Sequence, residues 1–164
     1  MAELCSQELL ARPPPISCHD VQQLFDLLPA DRARSHSRLR EDDGSKAFSV
    51  GCFSQGPLHG LLQNTRNFPL TTAVLAQFVK EQCPDAVFST ISLYLNRMTA
   101  MHRDSANAAL PNFVVAVSSF QGGGVWVQDS QGTEVKEVAG SPVNGTVHDL
   151  SRPLKFDAHA LYHC

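Results

Sequence analysis

The sequence has no apolar run near the roughly 20 residues that a membrane-crossing helix needs, and no excess of charge of one sign. Its 13 lysines and arginines stand against 16 aspartates and glutamates, a formal net charge of −3. The first absence excludes a membrane-spanning helix. The second removes the global basic field that draws a protein to nucleic acid or acidic lipid. No Cys-x-x-Cys pair occurs, and Cys5, Cys18, Cys52, Cys83 and Cys164 are scattered and odd in number. That pattern argues against a disulfide framework or a thiolate zinc site and fits free thiols in a reducing compartment. The N-terminus, "MAELCSQELLARPPP", carries acids where a secretory leader begins with bases, and its apolar stretch is short. An intracellular location, cytoplasmic or nuclear, is expected. No internal repeat is visible.

What is present is enough for one domain with a core: 164 residues, 43% of them hydrophobic. Pro13, Pro14 and Pro15 separate a short tail from "SCHDVQQLFDLLP". Ser17 as cap, Asp20 in the first turn and an apolar stripe of Val21, Leu24, Phe25 and Leu28 predict a helix over 18–28. "ADRARSHSRLREDDGS", which contains His36, mixes both charge signs and is expected to be a solvated helix or loop. "KAFSVGCFSQGPLHGLL" reads as a short strand and a Gly/Pro loop. "TTAVLAQFVKEQCP" reads as a helix over 71–82, with Val74, Leu75, Phe78 and Val79 on one face.

From residue 86 the period changes from helical to alternating. Ser89, Ile91, Leu93 and Leu95 alternate with polar neighbours as in a half-buried strand. "NFVVAVSSF" (112–120) predicts a strand covered on both faces. "GGVWVQD" and "TEVKEV" predict a hairpin around "SQG", and "GTVHDL" and "LKFDAHALYH" predict two more strands. Helices followed by about six short strands indicate an α+β chain with an antiparallel sandwich or barrel in its C-terminal half.

The chemistry concentrates in "MHRDSANAAL". Alone, His-x-Asp says little. On an extended backbone, however, residues two apart point to the same side, so His102 and Asp104 face one cavity. An imidazole and a carboxylate on one side are two parts of a 2-His-1-carboxylate triad, which holds Fe(II) and leaves coordination positions open. The second histidine must come from a later strand, where His159 and His163 are candidates.

The order "HRDSANA", an apolar strand, "SSFQGGGVWVQ", "VHDL" and "FDAHALYHC" resembles the double-stranded β-helix (jelly-roll, cupin-like) core of Fe(II)/2-oxoglutarate-dependent dioxygenases. More narrowly, it resembles oxygenase-like domains of algal and dinoflagellate genomes, loosely related to nucleic-acid oxygenases. The likeness covers residues 46–164, leaving 1–45 as an N-terminal tail and helix. It implies Fe(II) and 2-oxoglutarate as cofactors, with His102, Asp104 and a histidine after the FD motif as catalytic metal ligands. The usual spacing from Asp157 reaches His163; one residue fewer reaches Tyr162, and His159 precedes the position. Asn107 matches a polar, cofactor-lining position. Gly122 and Gly123 match a GG pair that approaches the pocket.

The likeness breaks after His163. The arginine or lysine that clamps the far carboxylate of 2-oxoglutarate follows the distal histidine in the family, and here Cys164 is the last residue. Arg97, Arg103, Arg152 and Lys155 lie elsewhere. Losing such a pair weakens binding roughly ten- to hundredfold, so this chain is expected to bind metal with little 2-oxoglutarate turnover. A non-catalytic β-helix acting as a binding or scaffold module is the competing expectation. His148 reads as a structural residue, His19 and His59 need no function, and Trp126 reads as core. The substrate is left open among nucleic acid, protein and small molecule, and the oligomeric state is open too.

Overall fold

The computed structural model describes residues 1–31 and 44–164. Most of the charged segment 30–45, His36 included, therefore lies outside the described residues. The fold is α+β, with helices and antiparallel sheets in two compact units, Met1–Arg97 and Met98–Cys164. No disulfide forms among the described residues. None of their helices is long and apolar enough to cross a membrane.

In the first unit, helix α2 (Cys18–Leu27) follows the expected pattern and buries Val21, Leu24 and Phe25. Its start is a capping box. The Asp20 backbone N–H donates to Ser17 Oγ at 3.1 Å, and the Ser17 N–H donates to Asp20 Oδ2 at 2.9 Å. Ser17 Oγ also donates to Oδ2 at 2.6 Å, and Arg12 donates to Oδ1 at 2.6 Å. The hydroxyl and then the guanidinium hold the Asp20 carboxyl down at about 2.

The N-terminal "tail" is instead a helix, α1 (Ala2–Ala11), which buries Ala2, Ser6 and Leu9 along one face. Its periodicity is weak, and tertiary partners hold it. Helix α4 (Pro69–Gln82) opens on Pro69 and has no cap of its own. Glu3 supplies one, accepting from the N–H groups of Leu70 (3.0 Å) and Thr71 (2.8 Å). Ser6 Oγ meets Thr71 Oγ1 at 2.9 Å in a fully buried contact. The Gly/Pro loop is a hairpin: β1 (Lys46–Gln55) pairs with β2 (Leu58–Leu61) on one side and with β3 (Thr90–Leu95) on the other. A short helix, α3 (Gln63–Asn67), precedes α4. Phe48, fully buried, packs edge-on to Phe68 at 5.5 Å.

The second unit holds five named strands. β4 (Asn112–Val114) pairs with β8 (Leu154–Phe156), and β5 (Val125–Gln128), β6 (Glu134–Val138) and β7 (Ser141–His148) form a sheet in the order β5–β7–β6. Among the described residues none of the sheets closes into a barrel. Two expectations are corrected here. The apolar run 112–120 is a strand only through Val114 and half-buried there, because among the described residues it pairs with β8 alone. The hairpin predicted between β5 and β6 does not form; β6 pairs with β7. The reason is the turn chemistry. Ala139 (φ 50°) and Gly140 (φ 81°) join Val138 to Ser141 in a two-residue turn with both φ values positive, the geometry whose twist matches antiparallel strands.

Trp126 on β5 is 1% exposed, and its Nε1 donates to the Glu134 carbonyl at 3.0 Å. Gly145 on β7 leaves room for the ring: a Cβ there would sit 2.2 Å from Trp126 Cε2.

Two outcomes are expected from this packing. Gly145→Ala should cost about 1–3 kcal/mol by overpacking, read as a lowered midpoint in thermal denaturation. Asp20→Ala should remove about 1 kcal/mol at neutral pH. Because folding lowers the Asp20 pKa from 3.8 to about 2, its contribution is present above pH 3.8 and is lost as pH falls through about 2. Denaturant titrations from pH 5 to pH 2 should therefore show a shallower acid decline in the variant than in the native protein.

Candidate metal centre

Two histidines far apart in sequence meet through their backbones. His102 N–H donates to the His163 carbonyl at 3.1 Å, and His163 N–H donates to the His102 carbonyl at 2.9 Å. On its other side the 162–164 segment bonds to β5. Cys164 and Trp126 exchange N–H···O bonds of 3.1 and 3.0 Å, and Gln128 N–H donates to the Tyr162 carbonyl at 2.8 Å. The segment thus bridges 101–103 on one side and β5 on the other.

Residues opposite one another on paired strands share a face. His102, His163 and Val127 are such partners. Arg103 and Tyr162 project from the other face, with the guanidinium 4.5 Å from the Tyr162 ring centroid.

The chain reaches this segment from β8 through one helical turn. Asp157 caps the turn, its Oδ1 accepting from Ala160 N–H (3.0 Å) and its carbonyl from Leu161 N–H (2.9 Å). The turn also leaves the Ala158 carbonyl to accept the Asp104 N–H at 2.8 Å, which anchors the third residue of the site.

His102, Asp104 and His163 converge. His102 Nε2 lies 3.4 Å from Asp104 Oδ1, His163 Nε2 lies 3.9 Å from Asp104 Oδ2, and one ligand atom from each residue can be chosen so that all lie within 4.8 Å of one another. Bonds of about 2.0–2.2 Å to one ion place neighbouring ligand atoms about 3–4 Å apart, a span that contains both distances. The imidazole centroids are 4.2 Å apart.

The ring orientation is set by the main chain. His102 Nδ1 meets the Ala100 carbonyl at 2.8 Å, and His163 Nδ1 meets the Leu161 carbonyl at 3.0 Å. A carbonyl only accepts, so Nδ1 carries a proton, and whenever the ring is neutral Nε2 carries the lone pair. With both rings neutral, two lone pairs and a carboxylate face one another with no donor among the three, and a cation, whether a metal ion or a proton on one ring, relieves that arrangement. The His163 side chain is 10% exposed, whereas the His102 and Asp104 side chains are 37% and 38% exposed, so the cluster opens to solvent on one side.

The other candidates fall elsewhere. His159 is not in the cluster; its Nδ1 is buried without a hydrogen-bond partner. His148 ends β7 opposite Val125 and is also outside it. Asn107 donates from Nδ2 to Asp104 Oδ2 at 3.3 Å. A Cβ on Gly122 would meet nothing within 4 Å, and one on Gly123 would meet the Phe120 ring. Arg97 stacks on Tyr94 and Lys155 on Phe113, with the charged groups 4.6 and 5.3 Å from the ring centroids. Arg152 belongs to an exposed hollow lined by residues 147–154. One contact escaped the sequence reading: Phe156 of β8 meets the His163 ring edge-on at 5.0 Å. Its place in the "FDAH" stretch was the available signal.

No family model, curated protein or solved structure matches the chain.

His163→Ala should weaken Mn(II) binding at least tenfold, since a direct ligand matters no less than the residues behind it. His159→Ala and His148→Ala should leave it at the native value. Calorimetric titration under argon distinguishes them, and equal losses in all three would mean the wrong histidine has been assigned.

Proposed function

We propose that His102, Asp104 and His163 form a mononuclear Fe(II) centre. On this reading the protein is a 2-oxoglutarate-dependent oxygenase with a double-stranded β-helix core. The observation that carries the proposal is the meeting of two imidazole Nε2 atoms, each ring held by a bond to a main-chain carbonyl, with one carboxylate on a face open to solvent. Two neutral imidazoles and one carboxylate leave a divalent ion with positive charge and with positions free for other ligands. The Phe156 ring covers His163 on one side and shields it from water. The β-helix reading draws on the antiparallel pairing of β5 with 162–164 and of 162–164 with 101–103, and on the contact from β8 to His163.

Iron bound there supplies redox chemistry that couples decarboxylation of 2-oxoglutarate to oxidation of a substrate. The substrate class stays open among nucleic acid, protein and small molecule. The residues of the chain orient the ion, neutralise half its charge and leave one side accessible.

The test is succinate formation from 2-oxoglutarate with Fe(II), ascorbate and oxygen, alongside anaerobic Mn(II) titration. The native protein should bind metal and form succinate slowly, and only with iron. Asp104→Ala should bind metal at least tenfold more weakly and form none. Metal binding without iron-dependent succinate would defeat the oxygenase assignment and leave a metal-binding module.

A further inference from the structure

Asp104 is held differently from its two partners. Each histidine has its Nδ1 tied to a main-chain carbonyl. The Asp104 carboxylate is 38% exposed, and among the described residues Asn107 is the side chain that donates a hydrogen bond to it. The contact follows from local geometry. Asn107 N–H donates to the Asp104 carbonyl at 2.8 Å, closing a turn over 104–107. Closure brings the fourth side chain back over the first, so Asn107 Nδ2 lies 3.3 Å from Oδ2.

We propose that Asn107 is a positioning residue of the metal centre: its amide holds the Asp104 carboxylate facing both imidazoles, and Asn107 is not itself a ligand. This rests on the metal-centre reading above. A half-exposed aspartate is free to turn about two side-chain torsions, and each turn away from His102 and His163 breaks the convergence of the three groups. A donor fixed on one oxygen removes that freedom. It also leaves Oδ1, 3.4 Å from His102 Nε2, without a competing donor from Asn107. A hydrogen bond to a carboxylate is charge-assisted and stronger than one between neutral groups. Partners of this kind behind a metal ligand typically contribute 10–100-fold to metal affinity.

Asn107 is exposed, so its side chain can be changed without disturbing a core, and the backbone bond that closes the turn survives substitution. The experiment is anaerobic titration with Co(II), read by calorimetry and by its visible absorption, on native protein, Asp104→Ala, Asn107→Ala and Asn107→Leu. Asn107→Leu keeps the bulk and removes the donor. Both Asn107 variants should bind Co(II) about tenfold more weakly and with an altered visible spectrum, while their metal-free melting temperatures match the native protein. Native affinity and spectrum in either variant would overturn the proposal. So would a weakened affinity that tracks a lowered metal-free melting temperature. The Asp104→Ala arm separates the two readings. If native protein fails to bind Co(II), or Asp104→Ala binds as tightly as native, the metal centre itself is wrong. If those two behave as expected and the Asn107 variants match native, only the positioning role falls.

Discussion

The chemistry of the C-terminal unit depends on one reciprocal pair of main-chain hydrogen bonds, between His102 and His163. Partners that exchange both N–H···O bonds in an antiparallel ladder project their side chains from the same face. The two rings therefore meet without any attraction of their own, and Asp104 joins them by the two-residue period of extended chain. β5 guards the register from the other side through Trp126, Val127 and Gln128. A slip of one residue would turn His163 to the opposite face and present Tyr162 in its place. Five described backbone bonds along both edges of 162–164 oppose that slip.

The same economy of means appears in the first unit, where polar groups settle the ends of helices. Glu3 caps α4 from another helix, and Asp20 completes the box at the start of α2. Lys46 directs its ammonium to the carbonyls of Phe25 and Asp26 at the end of α2, and burial lowers its pKa. A cation on the last carbonyls and a carboxylate in the first turn both oppose the helix dipole. Charge here fixes boundaries, while Val21, Leu24, Phe25, Phe48, Val74 and Leu75 supply the burial.

How much of this was legible in the sequence depends on the range of the forces concerned. The Ser17–Asp20 box, the α2 stripe and the shared face of His102 and Asp104 are local, and they can be read from spacing alone. The first helix was misread because its support is remote: Ser6 and Glu3 find Thr71 and Leu70 on α4. The strand over 112–120 was overdrawn because β-branched residues report preference, not the presence of a partner. The β5–β6 hairpin was wrong because "SQG" looks like a turn, while Ala139 conceals the positive-φ turn that actually joins two strands. Of the histidine candidates after Asp157, spacing favoured His163 but kept Tyr162 open. The structure places His163 in the cluster, because a helical turn capped by Asp157 absorbs the intervening residues.

The helical turn and the paired segment beyond it also bear on the order of events during synthesis. The β6–β7 hairpin is local and forms at little cost in loop closure, whereas joining 101–104 to 158–164 encloses every strand of the unit. The candidate centre therefore carries the largest loop-closure cost in the unit. Until the turn at Asp157 has left the ribosome, His102 and Asp104 are an ordinary exposed pair with weak hold on any ion. An ion held there would thus be selected by the finished fold, against whatever ions surround it then, and not by the emerging chain.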